Sequence, residues 1–329
     1  MIFEPSFDRE IVHIDGEQYN LQGRLGESSH SAVFLAETQN GAQVVIKRFK
    51  RNNPNATAMF RRALESQQHM LANADAVSAA DLPRTHFIRD FTQVVDFHDG
   101  VDMGQAYNLI RISISEIRNL IKAIAANIEI LAKANLVHRD IKPENIVLTP
   151  SDKFTAKNVK LIDTELLTSM DHTEKTYAVG SPLFIPPECI PRQPLISTGN
   201  ALTDAENNTP AKYHITSDFH SLGFVAYELF PDIFHRIVSP LDASGDCDIR
   251  KLFQAKVYNR FFYHDAMQRM ERHYIPKVRP LDRPGARAIF KTILALTQAD
   301  PERRPQSAQE ISELLEEKGD ICNYYEGRY

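Results

Sequence analysis

Cysteine is scarce. Cys189, Cys247 and Cys322 are the three in a chain of 329 residues, too few, too far apart and odd in number to build a disulfide framework or a paired-cysteine metal site. A reducing, cytosolic compartment is therefore expected. Long apolar runs are missing too: no stretch of about 18 apolar residues occurs, so no segment is expected to span a membrane. Met1 to Glu10 carries Glu4, Asp8 and Arg9 where a signal peptide would be apolar. Nor does charge of one sign dominate. The net charge is -5 with acids and bases interspersed, which leaves no basic stripe to draw the chain to nucleic acid or anionic lipid. Internal repeats and low-complexity tracts are absent. What remains, 43% apolar and 25% charged residues, is the make-up of a globular protein large enough for two lobes.

The first hundred residues read as strands around one helix. Tyr19 to Leu25, Ala32 to Thr38 and Gln43 to Phe49 are candidate strands, and Asn40-Gly41 is a hairpin turn signal between the last two. From Asn55 to Asn73, Ala56, Met59, Phe60, Ala63, Leu64, Gln67 and Leu71 recur at helical spacing behind Pro54. From Ser115 the period is again helical, through Ile117, Leu120, Ile121, Ile124, Ile128 and Leu131, ending near Asn135. Asp218 to Phe230 is apolar on nearly every side and predicts a core helix. Short β-like pieces, Ile146 to Leu148 and Val159 to Ile162, lie between them. The stretch from Thr164 to Lys212 has few helical signals, and a loop of that length is ordinarily functional or disordered.

The most informative stretch is His138-Arg139-Asp140-Ile141-Lys142-Pro143-Glu144-Asn145, directly after the long helix. An acid can orient an attacking hydroxyl and accept its proton. A lysine two residues on can neutralise a transferring phosphate, and an asparagine five residues on can hold a metal ion. This stretch resembles the catalytic loop of the protein kinase family, and the resemblance covers roughly residues 19 to 315. It implies an α+β, bilobal protein kinase fold, with a small β-rich N-lobe over 19–113 and a larger, mainly helical C-lobe over 114–315. An N-terminal extension (1–18), an insertion near 190–212 and a C-terminal tail (316–329) complete that division.

The resemblance carries over residue by residue. Lys47 closes the run Val44-Val45-Ile46-Lys47, where the family keeps the lysine that grips the α- and β-phosphates of ATP. Asp140 and Lys142 match the catalytic positions with it. Glu65 on the following helix is the candidate carboxylate partner of Lys47, with Gln67 the alternative, about 200° away around the helix. Leu25, Gly26, Ser28, Val33, Val45 and Val147 fall where the family surrounds the nucleotide. Asn145 and Asp163 fall where it binds magnesium, a place manganese can also fill. ATP and a divalent cation are the implied cofactors. A protein substrate, with room for a regulatory protein partner, is implied in place of nucleic acid or membrane.

Departures from the family pattern are equally specific. Of the three glycines in the phosphate-covering loop only Gly26 remains, and Ser28 and Ser31 stand at the other two positions. A serine forced to positive φ there would cost about 1 kcal/mol. In the metal-binding triplet Asp163 is followed by Thr164 and Glu165 in place of phenylalanine and glycine. Loss of that glycine predicts a stiffer triplet with Asp163 facing inward. Glu165 is expected to add charge beside the metal, so that Glu165→Gly would preserve or improve nucleotide binding.

Gly180 to Glu188 resembles the end of an activation segment, with Ser181 at the place of the threonine seen in serine/threonine kinases. Asp218 is expected to hold the catalytic-loop backbone, and Arg304 to pair with Glu188. Arg139 would gather a phosphorylated residue of that segment, Thr173, Thr176 or Tyr177. With a fifth strand placed at Tyr107 to Ile112, little chain remains for the short helix that usually follows. Three functions stay open on these residues: a serine/threonine-protein kinase, a pseudokinase scaffold or allosteric binding module of the same fold, and a kinase fold acting in nucleotidyl transfer or on a small molecule. The divergent pattern also resembles eukaryotic-type kinases that intracellular bacteria deliver into host cells as effectors, which would put the chain in a host cytosol.

Overall fold

The structure, a computed structural model, describes residues 10–109, 113–149, 154–155, 157–171, 173–174, 180–181, 183–189, 211–229 and 285–316. Its N-terminal part is a six-stranded antiparallel sheet in the order β1-β2-β3-β4-β6-β5, formed by β1 (Ile11–Ile14), β2 (Glu17–Glu27), β3 (Ser31–Thr38), β4 (Gln43–Phe49), β5 (Thr85–Arg89) and β6 (Thr92–Asp96). The predicted meander is the centre of this sheet. Strand β1 pairs with the start of β2, so residues 11–18 belong to the sheet instead of standing apart as an extension. Alternation along the strands buries Tyr19, Leu21, Ala36, Val44, Ile46 and Val94 on one face.

Helix α1 (Pro54–Ala72) starts where Asn53 caps the amides of Asn55 and Ala56, with Pro54 supplying a helix-ready φ at the first position. Its buried face is Ala56, Phe60, Ala63, Ser66 and Met70, spaced three and four residues apart. A short helix α2 (Ala74–Ala79) follows. After β6 the chain forms β7 (Val101–Asp102) and helix α3 (Met103–Leu109). The fifth strand is thus not at Tyr107 to Ile112. Tyr107 to Leu109 are helical, 110–112 lie outside the described residues, and the short helix after the connector is present.

Helix α4 (Ile114–Lys133) opens with a capping box in which Ser113 and Glu116 satisfy each other's backbone amides. Its apolar face packs on α5 (Ile215–Glu228) and α7 (Ala308–Leu315), and α6 (Ala286–Leu296), packed on both of these, joins the same continuous core. Buried Asn127 of α4 donates to the carbonyl of Val159 at 2.7 Å and ties the helix to the site-bearing strands. Those strands are β8 (Leu136–Val137), β9 (Ile146–Leu148) and β10 (Val159–Leu161), followed by β11 (Thr168–Ser169). Gly223 lets α5 and α6 touch: a Cβ there would stand 2.8 Å from side-chain atoms of Leu296 and Thr297. Two strands, β12 (Thr173–Glu174) and β13 (Ala211–Lys212), pair across the proposed insertion, of which residues 190–210 lie outside the described residues.

Candidate active site

Three short loops bring the chemistry together. The catalytic loop leaves β8 at Val137 and is anchored by Asp218 at the start of α5, whose carboxylate accepts the amides of His138 (2.7 Å) and Arg139 (2.9 Å). Those two bonds hold Arg139 in a left-handed conformation, φ 69°, which costs a non-glycine residue about 1–2 kcal/mol unless its surroundings fix it. Burial pushes the Asp218 carboxyl upward against these two donated bonds. The expected structural role of Asp218 is met.

Asp140 sits at the centre of the polar network. Its Oδ2 accepts from Lys142 Nζ at 2.7 Å and Asn145 Nδ2 at 2.8 Å. Its Oδ1 accepts from the backbone and hydroxyl of Ser181. Ser181 also accepts from Lys142 at 2.9 Å, so the three side chains close a ring. Gly180 makes this approach possible. It has φ 110°, and a Cβ there would lie 2.5 Å from the carbonyl oxygen of Arg139. The segment is clamped further on by Glu188, which forms a two-pronged pair with buried Arg304 at 2.6 and 2.7 Å.

Between sheet and helices lies a cavity of about 390 Å³. Leu25, Gly26, Val33 and Val45 form its roof, Val147 its floor, and Lys47, Asn145 and Asp163 its inner end. Ser28 is not part of the wall. Its hydroxyl accepts from the amide of Ser31 at 3.0 Å and closes the tip of the β2–β3 turn. Neither Ser28 nor Ser31 has positive φ, so the feared strain of a serine at a glycine position does not arise.

Lys47 reaches Asp163 Oδ1 at 3.2 Å and pairs more closely with Glu165. Glu65 is exposed and does not meet it. The expectation of a carboxylate from α1 is therefore corrected. At 100° per residue, burying Ser66 towards Thr164 turns its neighbour Glu65 out to solvent. Asp163 itself is left-handed, φ 59°, and opens a 3₁₀ turn over Thr164–Leu166 that carries Glu165 back beneath Lys47. Burial raises the Glu165 pKa to about 7 despite Lys47, and Asp163 adds to the rise. For Asp163, burial acts upward too, but Lys47 and then Lys142 hold the carboxyl below its ordinary value. Lys47, opposed by burial, is kept firmly protonated by Asp163 and Glu165.

A divalent cation suits what remains. Asn145 Oδ1 and the second oxygen of Asp163 take no hydrogen bond among the described residues, and both residues line the cavity. Two oxygen donors fit a hard ion that completes its shell with water and phosphate oxygens. No cluster of three or more His, Cys, Asp or Glu able to hold a metal alone occurs among the described residues.

Sequence reasoning missed the wall that β6 supplies. Gln93, Val95, Phe97 and His98 line the cavity from β6 and the connector after it. The β-branched run Thr92 to Asp96 ahead of His98-Asp99-Gly100 would have found them. Of the proposed phosphate acceptors, Thr176 and Tyr177 lie outside the described residues, and Thr173 pairs through its backbone with Lys212. Arg139 is buried, its Nε donating to the carbonyl of Leu166 and its guanidinium 5.3 Å from the Tyr213 ring.

Known proteins give the same picture. The chain is 27% identical over 234 residues to the "Probable serine/threonine-protein kinase fhkD" of Dictyostelium discoideum, covering 68% of this chain and 30% of that protein. It is 28% identical over 146 residues to the "Serine/threonine-protein kinase D" of a Synechocystis strain, covering 41% and 28%. It is 26% identical over 183 residues to the "Calcium-dependent protein kinase 25" of Arabidopsis thaliana, covering 53% and 34%. The chain thus spans about a third of the length of these relatives. The protein kinase domain model matches residues 19–315. With the catalytic loop, the clamped segment and the cavity in one place, this chain belongs to the protein kinase domain family.

Proposed function

We propose that the chain is a Mg-ATP-dependent protein kinase that transfers the γ-phosphoryl group to serine or threonine hydroxyls of a protein substrate. The observation that carries this reading is the ring of Asp140, Lys142 and Ser181, joined through Asn145 to a cavity that Lys47, Asn145 and Asp163 line. Asp140 orients the acceptor hydroxyl and takes its proton. Lys142 offsets charge on the moving phosphoryl group, and Lys47 positions the phosphates behind it. Magnesium held by Asn145 and Asp163 would neutralise the phosphate oxygens. Ser181, paired with Lys142 across the acceptor position, supports serine or threonine as the substrate residue.

One observation favours a second reading, a pseudokinase binding module. Glu165 places an additional buried carboxylate beside the metal position, and negative charge there opposes the approach of phosphates. Incubation of the purified chain with γ-labelled and α-labelled ATP and generic protein substrates separates the possibilities. Label from the γ position alone on serine or threonine supports the kinase. Label from the α position indicates nucleotidyl transfer, and none with retained ATP binding indicates the binding module.

A further inference from the structure

Helix α1 carries a single acidic residue, Glu65, and that residue is exposed. At the point where the helix meets the site it presents Ser66 instead. Ser66 is 2% exposed, and its hydroxyl donates to the carbonyl of Thr164. His69 stands one turn further along, 3.4 Å from the hydroxyl of Thr168. The helix thus holds the segment around the metal-binding aspartate by polar bonds to Thr164 and Thr168, and offers no charge to Lys47.

The charge comes from the segment itself. Glu165 is 3% exposed and both of its carboxylate oxygens are shut off from water. Lys47 is its ion-pair partner among the described residues. A buried carboxylate requires a counter-charge, and a buried ammonium likewise, so each of the two fixes where the other can stand. The left-handed Asp163 and the 3₁₀ turn after it provide the geometry that aims residue 165 at β4.

We propose that Glu165 is the positioning residue for Lys47, so that the lysine that grips the phosphates is oriented by the metal-binding segment and not by helix α1. This rests on the kinase reading above for its meaning in catalysis, while the pairing itself can be tested without turnover. Lys47, Asp163 and Glu165 then form one unit, set by residues that lie within three positions of each other on one strand end and opposite β4. Displacement of α1 does not remove the counter-charge of Lys47. The effect expected of Glu165→Gly at the outset is reversed: removing the carboxylate takes away the lysine's support.

The test compares Glu165→Gln, Glu165→Asp, Glu165→Ala, Glu65→Ala and the double variant Glu165→Ala/Ser66→Glu in the full chain, with circular dichroism to establish folding. The first readout is steady-state kinetics with Mg-ATP. Glu165→Gln should lower kcat at least about tenfold with a smaller change in KM for ATP, and Glu165→Asp should recover part of it. Glu65→Ala should match the wild type, since the structure puts that side chain in solvent. The double variant, which returns a carboxylate from the helix, should exceed the Glu165→Ala single variant at least about threefold.

The second readout does not need phosphoryl transfer. An adenosine bearing a sulfonyl fluoride is attacked by a neutral amine with loss of fluoride, and mass spectrometry follows its attachment at Lys47. Glu165→Gln removes the group that holds the Lys47 amine in place, so labelling should slow at least about threefold, while Glu65→Ala leaves it unchanged. A wild type without kinase activity but with this labelling pattern refutes the kinase reading and leaves the pairing standing. Unchanged labelling and unchanged kcat in both Glu165→Gln and Glu165→Asp, or a loss reproduced by Glu65→Ala, overturns the proposal.

Discussion

Ser181 donates both its backbone N–H and its hydroxyl to Oδ1 of Asp140, each at 2.9 Å. With Lys142 and Asn145 on the other oxygen, the carboxylate is held by four donors from two separate loops. Asp140→Asn should reduce phosphoryl transfer at least about a hundredfold while leaving ATP binding nearly intact, because the base is lost and the nucleotide contacts are not. Ser181→Ala should cost about tenfold, and Ser181→Thr should be tolerated. Parallel calorimetry and turnover measurements check both; full activity in Asp140→Asn removes the assignment.

Lys47→Ala should depress turnover, and it should also weaken the fold. The change leaves Glu165 buried without its cation, a loss of about 3–5 kcal/mol by comparison with other broken buried pairs. Adding Glu165→Gln to Lys47→Ala should return much of the stability and none of the activity. Urea denaturation of the two variants distinguishes this from a lysine that matters to ATP alone, for which the stabilities would coincide.

Asp163→Ala should abolish nucleotide binding that depends on divalent metal. The wild type is expected to need millimolar magnesium or manganese, since the protein offers two oxygen donors and the phosphates must supply others. Titration calorimetry with ATP, with and without chelator, gives the answer. Tight metal-independent binding that survives Asp163→Ala would favour the binding module over the enzyme.

Arg304→Ala should destabilise the C-lobe by about 3–5 kcal/mol, because Glu188 loses a two-pronged, fully buried partner and three backbone carbonyls lose their donor. Arg304→Lys should recover little, as a single ammonium cannot reproduce the planar fork. Thermal unfolding of both variants is the measurement, and a lysine variant as stable as wild type would contradict it.

The elements that could be read from sequence were those in which local pattern and tertiary role agree. Alternation in Gln43 to Phe49 and the three-and-four spacing from Ile117 to Leu131 gave strand β4 and helix α4 within two residues. The catalytic loop was legible because its chemistry demands fixed spacing along one segment. Lys47's partner was not legible, since it depends on the rotation of α1 and on a left-handed residue at Asp163, and neither leaves a periodic signal. Strand β6 went unread for a different reason. It is short, and the apolar run near Tyr107 imitated a strand where a capped two-turn helix formed.

The inner end of the cavity has a consequence for inhibitor chemistry. Gln93, a buried amide opposite Lys47 on the neighbouring strand, lines it together with Thr164 and Glu165. An aromatic or aliphatic extension pushed past the adenine position would have to bury its surface against a carboxylate and an amide, and would lose affinity for want of apolar contact. A compound carrying a compact neutral hydrogen-bond donor at that end would find polar partners already dehydrated and in place, whereas a cation would meet the ammonium of Lys47. Selectivity for this chain over other nucleotide-binding proteins is therefore to be sought in the polarity of a ligand's innermost group and not in its size.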